Sequence, residues 1–159
     1  MTDTELLQPR FLKPGGGPTL SFLGASLGYK ISSRDTAGKW SLLEYLVPPN
    51  FAGPPLHWHK ATHELFYMLA GTLTFRLGDK VFMGEPDAMV YIPKGILHTF
   101  SNQQDKPARF LMFVTPGGFD EYFKELSAMA QSEPTWPPKE MSKLKELYEK
   151  FDNYFPENF

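Results

Sequence analysis

Short stretches of alternating apolar and polar residues recur along most of this 159-residue chain. From 40 to 47 the alternation puts one set of side chains on one strand face, namely Trp40, Leu42, Glu44 and Leu46. Similar runs end at Gly-, Pro- or Asn-containing turns at short intervals. This pattern predicts an antiparallel sandwich or closed barrel over residues 19–115. We also expect the strands on either side of 70–71 to pair as a hairpin.

The pattern changes to a helical period near the end of the chain. Apolar residues recur at helical spacing after Phe119 and again after Met141, with the Pro-rich segment 134–138 between them. Residues 116–159 are therefore predicted to form C-terminal helices, and residues 1–18 an irregular arm that ends in glycine and proline. The last aromatic residues either dock on a partner subunit or fray: Tyr154, Phe155 and Phe159.

Composition limits the classes of protein that the chain can belong to. Apolar residues make up 42% and aromatic residues 15%, which is typical of a globular protein, and the length suits a single domain spanning 1–159. A net charge of -2 gives no electrostatic basis for binding nucleic acid or an anionic membrane. No apolar run approaches the roughly 20 residues needed to span a bilayer. The absence of cysteine excludes disulfides and thiolate ligands. We expect a cytoplasmic protein.

The histidines are the clearest candidates for chemistry. Three of the four fall in one short stretch, at His57, His59 and His63, and Glu64 follows directly. On a strand, His57 and His59 would point to the same side. The fourth, His98, follows a Pro-x-Gly turn much later in the chain. Because neutral imidazole is a good ligand for Fe, Mn, Ni, Cu or Zn, two hairpin-like units could close on a single ion.

These two stretches resemble the two cupin motifs. The residues that match the first motif are His57, His59, Glu64 and Gly71. The residues that match the second motif are Pro93, Gly95, His98 and Asn102. The leading glycine of each motif is missing, since Phe51 and Asp87 stand in those places. The flanking segments are similar to those of small bacterial cupins related to quercetin dioxygenases.

The resemblance implies both a fold and a site. The fold would be all-β with C-terminal helices, a cupin double-stranded β-helix or jelly-roll barrel, and the protein would be a homodimer. One divalent metal would be held by His57, His59, Glu64 and His98. Glu64 would also serve as the catalytic base. Five apolar residues are candidates to line a substrate cavity: Trp40, Phe66, Met68, Phe100 and Met112.

Three functions fit this site. The first is a metal-dependent dioxygenase of quercetin dioxygenase type, which acts on a small aromatic or enol substrate. The second is a non-redox isomerase or lyase, which would have a polar cavity, and the third is a non-catalytic protein that binds a small ligand. His63 is either a surface residue, a partner for Glu64 or a replacement ligand. Glu44 is either an acid or base beside the metal or a paired surface charge.

Overall fold

The computed structural model describes residues 8–156, so part of the predicted arm, residues 1–7, and Phe159 lie outside the described residues. The strands are β1 Thr19–Phe22, β2 Ala25–Ile31, β3 Ser41–Val47, β4 His63–Ala70, β5 Leu73–Leu77, β6 Lys80–Gly84, β7 Met89–Ile92, β8 His98–Ser101 and β9 Ala108–Thr115. They form a six-stranded sheet in the order β1-β2-β3-β9-β4-β7 and a three-stranded sheet in the order β6-β5-β8. Every pairing is antiparallel.

Two helices follow the sheets, α1 from Phe119 to Ser132 and α2 from Ser142 to Lys150. The apolar stripe of α1 is buried, and the helix packs on β1. The hydroxyl of Tyr29 in β2 donates to the Asp120 carbonyl at 3.0 Å, which fixes the start of α1 against the larger sheet. The predicted fold class, an all-β jelly roll followed by C-terminal helices, is confirmed.

The alternation in β3 decides which of its side chains face the core. Ser41, Leu43, Tyr45 and Val47 are buried, so the set that includes Trp40 and Glu44 lies on the outer side of the sheet. Glu44 lies 3.4 Å from Lys30 Nζ and 3.6 Å from Arg109 Nη1. Of the two interpretations of Glu44, the paired outer charge is the one that the structure shows.

The hairpin expected across 70–71 is wrong, because β4 pairs with β7 and β9 whereas β5 pairs with β6 and β8. Gly71 carries the chain from one sheet to the other with a φ of 72°. A Cβ at this position would lie 2.5 Å from the Pro107 carbonyl oxygen and 2.7 Å from Ala108 Cα. Glycine therefore permits a close crossing between sheets here rather than a hairpin turn.

Aromatic rings fill the space between the two sheets. Phe110 stacks on Tyr45 with the ring centroids 5.2 Å apart and contacts Phe66 at 5.4 Å and Phe100 at 5.3 Å. Because these rings come from both sheets, they hold the sheets together, and each buried ring contributes about 1.5–3 kcal/mol. Tyr45, Phe66 and Phe100 also line the cavity next to the two histidine motifs.

Candidate metal centre

Four side chains from separate segments meet inside the fold: His57, His59, Glu64 and His98. Each offers a ligand atom, and these atoms all lie within 4.8 Å of one another. All four residues are buried, with exposures between 2% and 7%. Backbone pairing of His57 with His98, through hydrogen bonds of 3.0 and 2.7 Å, joins the two motifs, while Glu64 comes from β4. The structure thus brings together the four residues that the resemblance named as ligands.

The backbone orients all three imidazole rings in the same manner. In each ring Nδ1 lies within hydrogen-bond distance of a backbone carbonyl oxygen. For His57 this is the oxygen of Pro55, at 2.7 Å, and for His59 it is the oxygen of Asp152, at 2.8 Å. For His98 it is the oxygen of Ile96, at 2.7 Å. A carbonyl only accepts hydrogen bonds, so Nδ1 carries the proton in the neutral ring. In the neutral ring the lone pair is then on Nε2, which is the form of histidine that binds a metal. His98 Nε2 instead donates to Glu64 Oε2 at 2.8 Å, because a carboxylate only accepts, and a metal at this position would replace that hydrogen bond.

One buried atom in the cluster has no hydrogen-bond partner among the described residues. It is His59 Nε2, which lies 3.6 Å from Glu64 Oε2, beyond hydrogen-bond range. His98 Nε2 is closer to the same oxygen, at 2.8 Å. A buried polar atom without a partner is costly, and a metal ion among the four residues would satisfy it. The donor set of three imidazoles and one carboxylate fits a divalent transition metal or zinc.

The buried Glu64 carboxylate dominates the electrostatics of the cluster. Burial, with a smaller contribution from His98, lowers the pKa of His57 to about 3, so this ring is neutral at physiological pH. Burial by itself would raise the pKa of Glu64, but the neighbouring His59 and His98 outweigh it and hold that pKa below its usual value. Glu64 is therefore a carboxylate. Burial alone would lower the pKa of His59, but Glu64 and Asp152 outweigh it and raise that pKa.

His63 does not join the cluster. It precedes Glu64 in β4, so its side chain points to the opposite face of the sheet. There its Nδ1 lies 2.9 Å from the Tyr91 hydroxyl, and the two rings are parallel with centroids 6.1 Å apart. Of the alternatives for His63, the structure shows a residue of the outer face that contacts Tyr91.

A cavity of about 530 Å³ adjoins the cluster, and its wall includes His57, Glu64 and His98. Three of the predicted lining residues are part of the wall: Phe66, Phe100 and Met112. The structure does not place the other two, Met68 and Trp40, in the wall. Met68 is fully buried beyond Phe66 on the same strand face, beside Gly84. Trp40 packs on Phe113 at the outer side of the sheet, with ring centroids 5.6 Å apart.

The chain after α2 returns to the first histidine motif, which the sequence did not indicate. The Asp152 carboxylate accepts hydrogen bonds from the backbone N–H groups of Lys60, Ala61 and Thr62, at 2.8–2.9 Å, and from the Thr62 hydroxyl at 2.8 Å. The Asp152 carbonyl orients His59, as described above. Asp152 therefore positions a candidate ligand through both its side chain and its backbone.

The aromatic residues of this C-terminal segment contact their own chain, and Phe155 is part of the cavity wall. Tyr154 forms a two-way backbone bridge with Trp58, with hydrogen bonds of 2.9 and 3.0 Å. The Lys60 ammonium lies 3.9 Å from the centre of the Tyr154 ring. Tyr154 and Phe155 are thus docked on their own chain and not frayed, and their docking on a partner subunit stays a prediction.

Comparison with known proteins shows which family the central part of the chain is similar to. Residues 43–114 match the family described as Cupin domain. This range includes both histidine motifs and strands from both sheets. The matched region is therefore similar to a cupin domain, and two C-terminal helices follow it in this chain. No helix within residues 8–156 has the length and apolar character needed to cross a membrane.

One curated relative is a probable oxidoreductase, virH, of Hypocrea virens, which is 29% identical over 103 residues. The match covers 58% of this chain and 46% of virH, so the chain spans about half the length of this relative. Among solved structures, the polyketide cyclase RemF from Streptomyces resistomycificus has a TM-score of 0.60 at 23% identity, covering 69% of this chain and 80% of RemF. KdgF from Halomonas sp. has a TM-score of 0.62 at 11% identity, covering 72% and 99%. Identities this low establish similarity of fold alone.

Proposed function

We propose that the protein is a metal-dependent oxidoreductase of dioxygenase type that acts on an aromatic substrate with an enol or phenol group. The observation that carries this proposal is a four-residue metal-type cluster that opens into a cavity with a largely aromatic wall. A divalent metal bound there would act as a Lewis acid and, if redox active, allow O₂ to react with the bound substrate.

The cavity wall supports an aromatic substrate over a sugar or a small acid. Beside Glu64 the wall is formed by rings and apolar side chains, among them Phe66, Phe100, Met112 and Phe119. Such a surface excludes water and stacks on flat ring systems, whereas a sugar needs many hydrogen-bonding groups along its length. The isomerase or lyase alternative called for a polar cavity, so the wall favours the first of the three functions.

Glu64 is the residue proposed to move a proton. It is buried, and its two histidine neighbours keep it ionised, so Oε2 can accept the proton of an enol or phenol hydroxyl. The resulting enolate is the electron-rich form of the substrate. With a metal bound, Nε2 of His57, His59 and His98 would be taken up as a ligand while Nδ1 is held on a carbonyl oxygen, so neither nitrogen of these rings would be available as the base. The relative named as a probable oxidoreductase supports a redox reaction.

The test is oxygen consumption by protein reconstituted separately with Fe, Mn, Ni and Cu, with a flavonol such as quercetin as substrate. The proposal expects O₂ uptake with at least one metal, its loss in Glu64→Gln and His59→Ala, and its retention in His63→Ala, which lies outside the cluster. Lack of uptake with every metal would overturn the proposal. Turnover of the same substrate under argon would instead favour a non-redox reaction.

We also propose that two copies associate through the edge strand β6, since the homodimer is otherwise only implied by resemblance. Three successive apolar residues of β6 are exposed on both faces of the strand, Val81 at 64%, Phe82 at 47% and Met83 at 54%. An edge strand with apolar side chains on both faces can pair with the same strand of a second copy, because its outer backbone N–H and C=O groups have no neighbouring strand within the sheet. Light scattering should show a dimer for the wild type and a monomer for Phe82→Lys; a monomeric wild type would contradict the proposal.

A further inference from the structure

Three tyrosines of the cavity wall are not used by the proposed function: Tyr45 in β3, Tyr122 in α1 and Tyr148 in α2. They are 4%, 9% and 7% exposed. Their hydroxyls make no hydrogen bond within residues 8–156, whereas the hydroxyls of Tyr29 and Tyr91 do. Buried tyrosine hydroxyls ordinarily have a partner. Three that lack one, on the wall of a single cavity, indicate that the partner is a ligand.

The hydroxyls are open to the cavity and not sealed in the core. Some buried polar atoms of the described residues are inaccessible to solvent and have no hydrogen-bond partner, for example Ser41 Oγ. No tyrosine hydroxyl belongs to this group. Burial raises the pKa of Tyr148 to about 12, and it also raises the pKa of Tyr45. All three groups are therefore protonated at physiological pH and can donate as well as accept hydrogen bonds.

The tyrosines stand at a distance from the metal cluster but in the same cavity. Ring contacts run from His59 to Phe119 at 5.3 Å, from Phe119 to Tyr122 at 5.4 Å and from Tyr122 to Tyr148 at 6.4 Å. Tyr45 joins the same set of rings through Phe123, whose ring centroid lies 5.8 Å from that of Tyr45 and 5.0 Å from that of Tyr122. A ligand that contacts both the cluster and the far end of this row at Tyr148 would extend along these rings, as a molecule of more than one ring can.

We propose that Tyr45, Tyr122 and Tyr148 form a hydrogen-bonding subsite for oxygen atoms on the end of the substrate that lies away from the metal cluster. This inference rests on the proposed function, because the cluster is what fixes the other end. The substrate class that it defines is a polyoxygenated aromatic of two or more rings, with an enol or phenol group at one end and hydroxyl or keto groups at the other. An aromatic that is oxygenated at one end only would leave the tyrosine hydroxyls unpaired.

The test compares two flavonols that share the same metal-chelating 3-hydroxy-4-keto group. Quercetin carries further hydroxyls on its other rings, whereas 3-hydroxyflavone carries none. Each is titrated under argon into the zinc-loaded full-length protein, with binding followed by absorbance. Tyr122→Phe and Tyr148→Phe each remove one hydroxyl and keep the ring. We expect each variant to weaken quercetin binding by about 3- to 10-fold and to leave 3-hydroxyflavone binding nearly unchanged.

Two controls separate the possible outcomes. Tyr91→Phe, on the outer face of the sheet, should bind both flavonols like the wild type, and 3-hydroxyflavone binding reports whether each variant is folded. Equal weakening of both flavonols, or no weakening of either, would overturn the subsite. Quercetin binding that is independent of zinc but still sensitive to Tyr122→Phe would support the subsite and contradict the proposed metal function. Failure of the wild type to bind either flavonol would overturn both.

Discussion

Replacing Asp152 with asparagine should loosen the connection between the C-terminal segment and the first histidine motif. Oδ2 of Asp152 accepts from Ala61 N at 2.9 Å and from Thr62 N and Oγ1 at 2.8 Å, while Oδ1 accepts from Lys60 N at 2.9 Å. An amide nitrogen cannot accept, so asparagine keeps the bonds on only one side of this network. With its oxygen in the place of Oδ2, it loses the bond from Lys60 N and sets one N–H group against another there. Asparagine tolerates the φ of 61° at this position, and the substitution therefore adds no backbone strain.

The size of the effect follows from the bonds that are lost. Asp152 is partly exposed, so water replaces some of the lost bonding, and we expect a loss of about 1–3 kcal/mol in the free energy of unfolding. For a chain of this length, that corresponds to a fall in the melting temperature of between about 2 and 12 °C. Because the Asp152 carbonyl also orients His59, metal affinity should fall by roughly 10-fold.

The effect should depend on pH in a defined direction. Burial alone would raise the pKa of Asp152, but hydrogen bonds from Ala61, Thr62 and Lys60 hold it below its usual value. A carboxyl group whose pKa is lower in the folded protein than in the unfolded chain stabilises the folded protein. This contribution is complete at a pH above the pKa in the unfolded chain, about 3.9, and is lost as the pH falls through the lower pKa of the folded protein. The stability difference between wild type and Asp152→Asn should thus be constant above about pH 5 and shrink below about pH 4.

Urea unfolding between pH 3 and pH 7 measures the stability difference, and calorimetric titration with Zn²⁺ measures the affinity. The matched control is Asp35→Asn, because Asp35 also has a lowered pKa and accepts hydrogen bonds, from Ser32 N at 2.8 Å and Ser32 Oγ at 2.7 Å. This control should lower stability without changing zinc affinity. Equal stability of Asp152→Asn and wild type at pH 7, or zinc affinity that changes in both variants alike, would refute the reasoning.

Two further substitutions test the fold around the cavity. Gly53→Ala should lower the melting temperature more than Gly78→Ala. Both positions have a positive φ, but of the two only a Cβ at Gly53 would collide with the backbone of Phe100. Equal falls in melting temperature, measured by calorimetry, would contradict this expectation. Phe110→Ala should cost about 3–5 kcal/mol in urea unfolding because the ring is fully buried between the sheets, whereas Leu46→Ala, at an exposed position on the outer face of β3, should cost much less. A cost for Phe110→Ala below about 1 kcal/mol would contradict the proposed core.

The four clustered residues could be identified from sequence because each has a fixed spacing to its neighbours and to a turn. His57 and His59 alternate on one extended stretch, and Glu64 and His98 occupy set positions in two separate motifs. Spacing within each motif depends on local backbone geometry, whereas the joining of the two motifs into one ligand set was implied by their resemblance to the cupin motifs. The structure brings all four ligand atoms within 4.8 Å of one another.

The details of the cavity wall could not be predicted in the same way. Alternation separates Trp40 from Tyr45, but it does not say which of the two faces is buried, and both faces carry an aromatic residue. It also places Phe66 and Met68 on the same face, although only Phe66 is near enough to the cluster to line the cavity. These distinctions depend on the tertiary packing of the larger sheet.

The sheet crossing and the C-terminal contact are also tertiary features. The hairpin signal around Gly71 is local, whereas the close approach of Gly71 to Ala108 that directs the chain to the other sheet is not. Asp152 lies 90 to 92 positions from the three residues it bonds, so nothing in its own neighbourhood identifies it. Its positive φ is the one local feature that sets it apart, and that becomes visible only in the structure.

Zinc titration of chelator-treated protein, followed by calorimetry, tests the metal centre most directly. The geometry of His57, His59, Glu64 and His98 predicts one binding site per chain, which His98→Ala should abolish and His63→Ala should leave intact. Each variant removes one histidine. If zinc bound nonspecifically to any histidine, both variants would lose zinc binding. Binding that survives in His98→Ala, or that disappears in His63→Ala, would contradict a metal centre at these four residues.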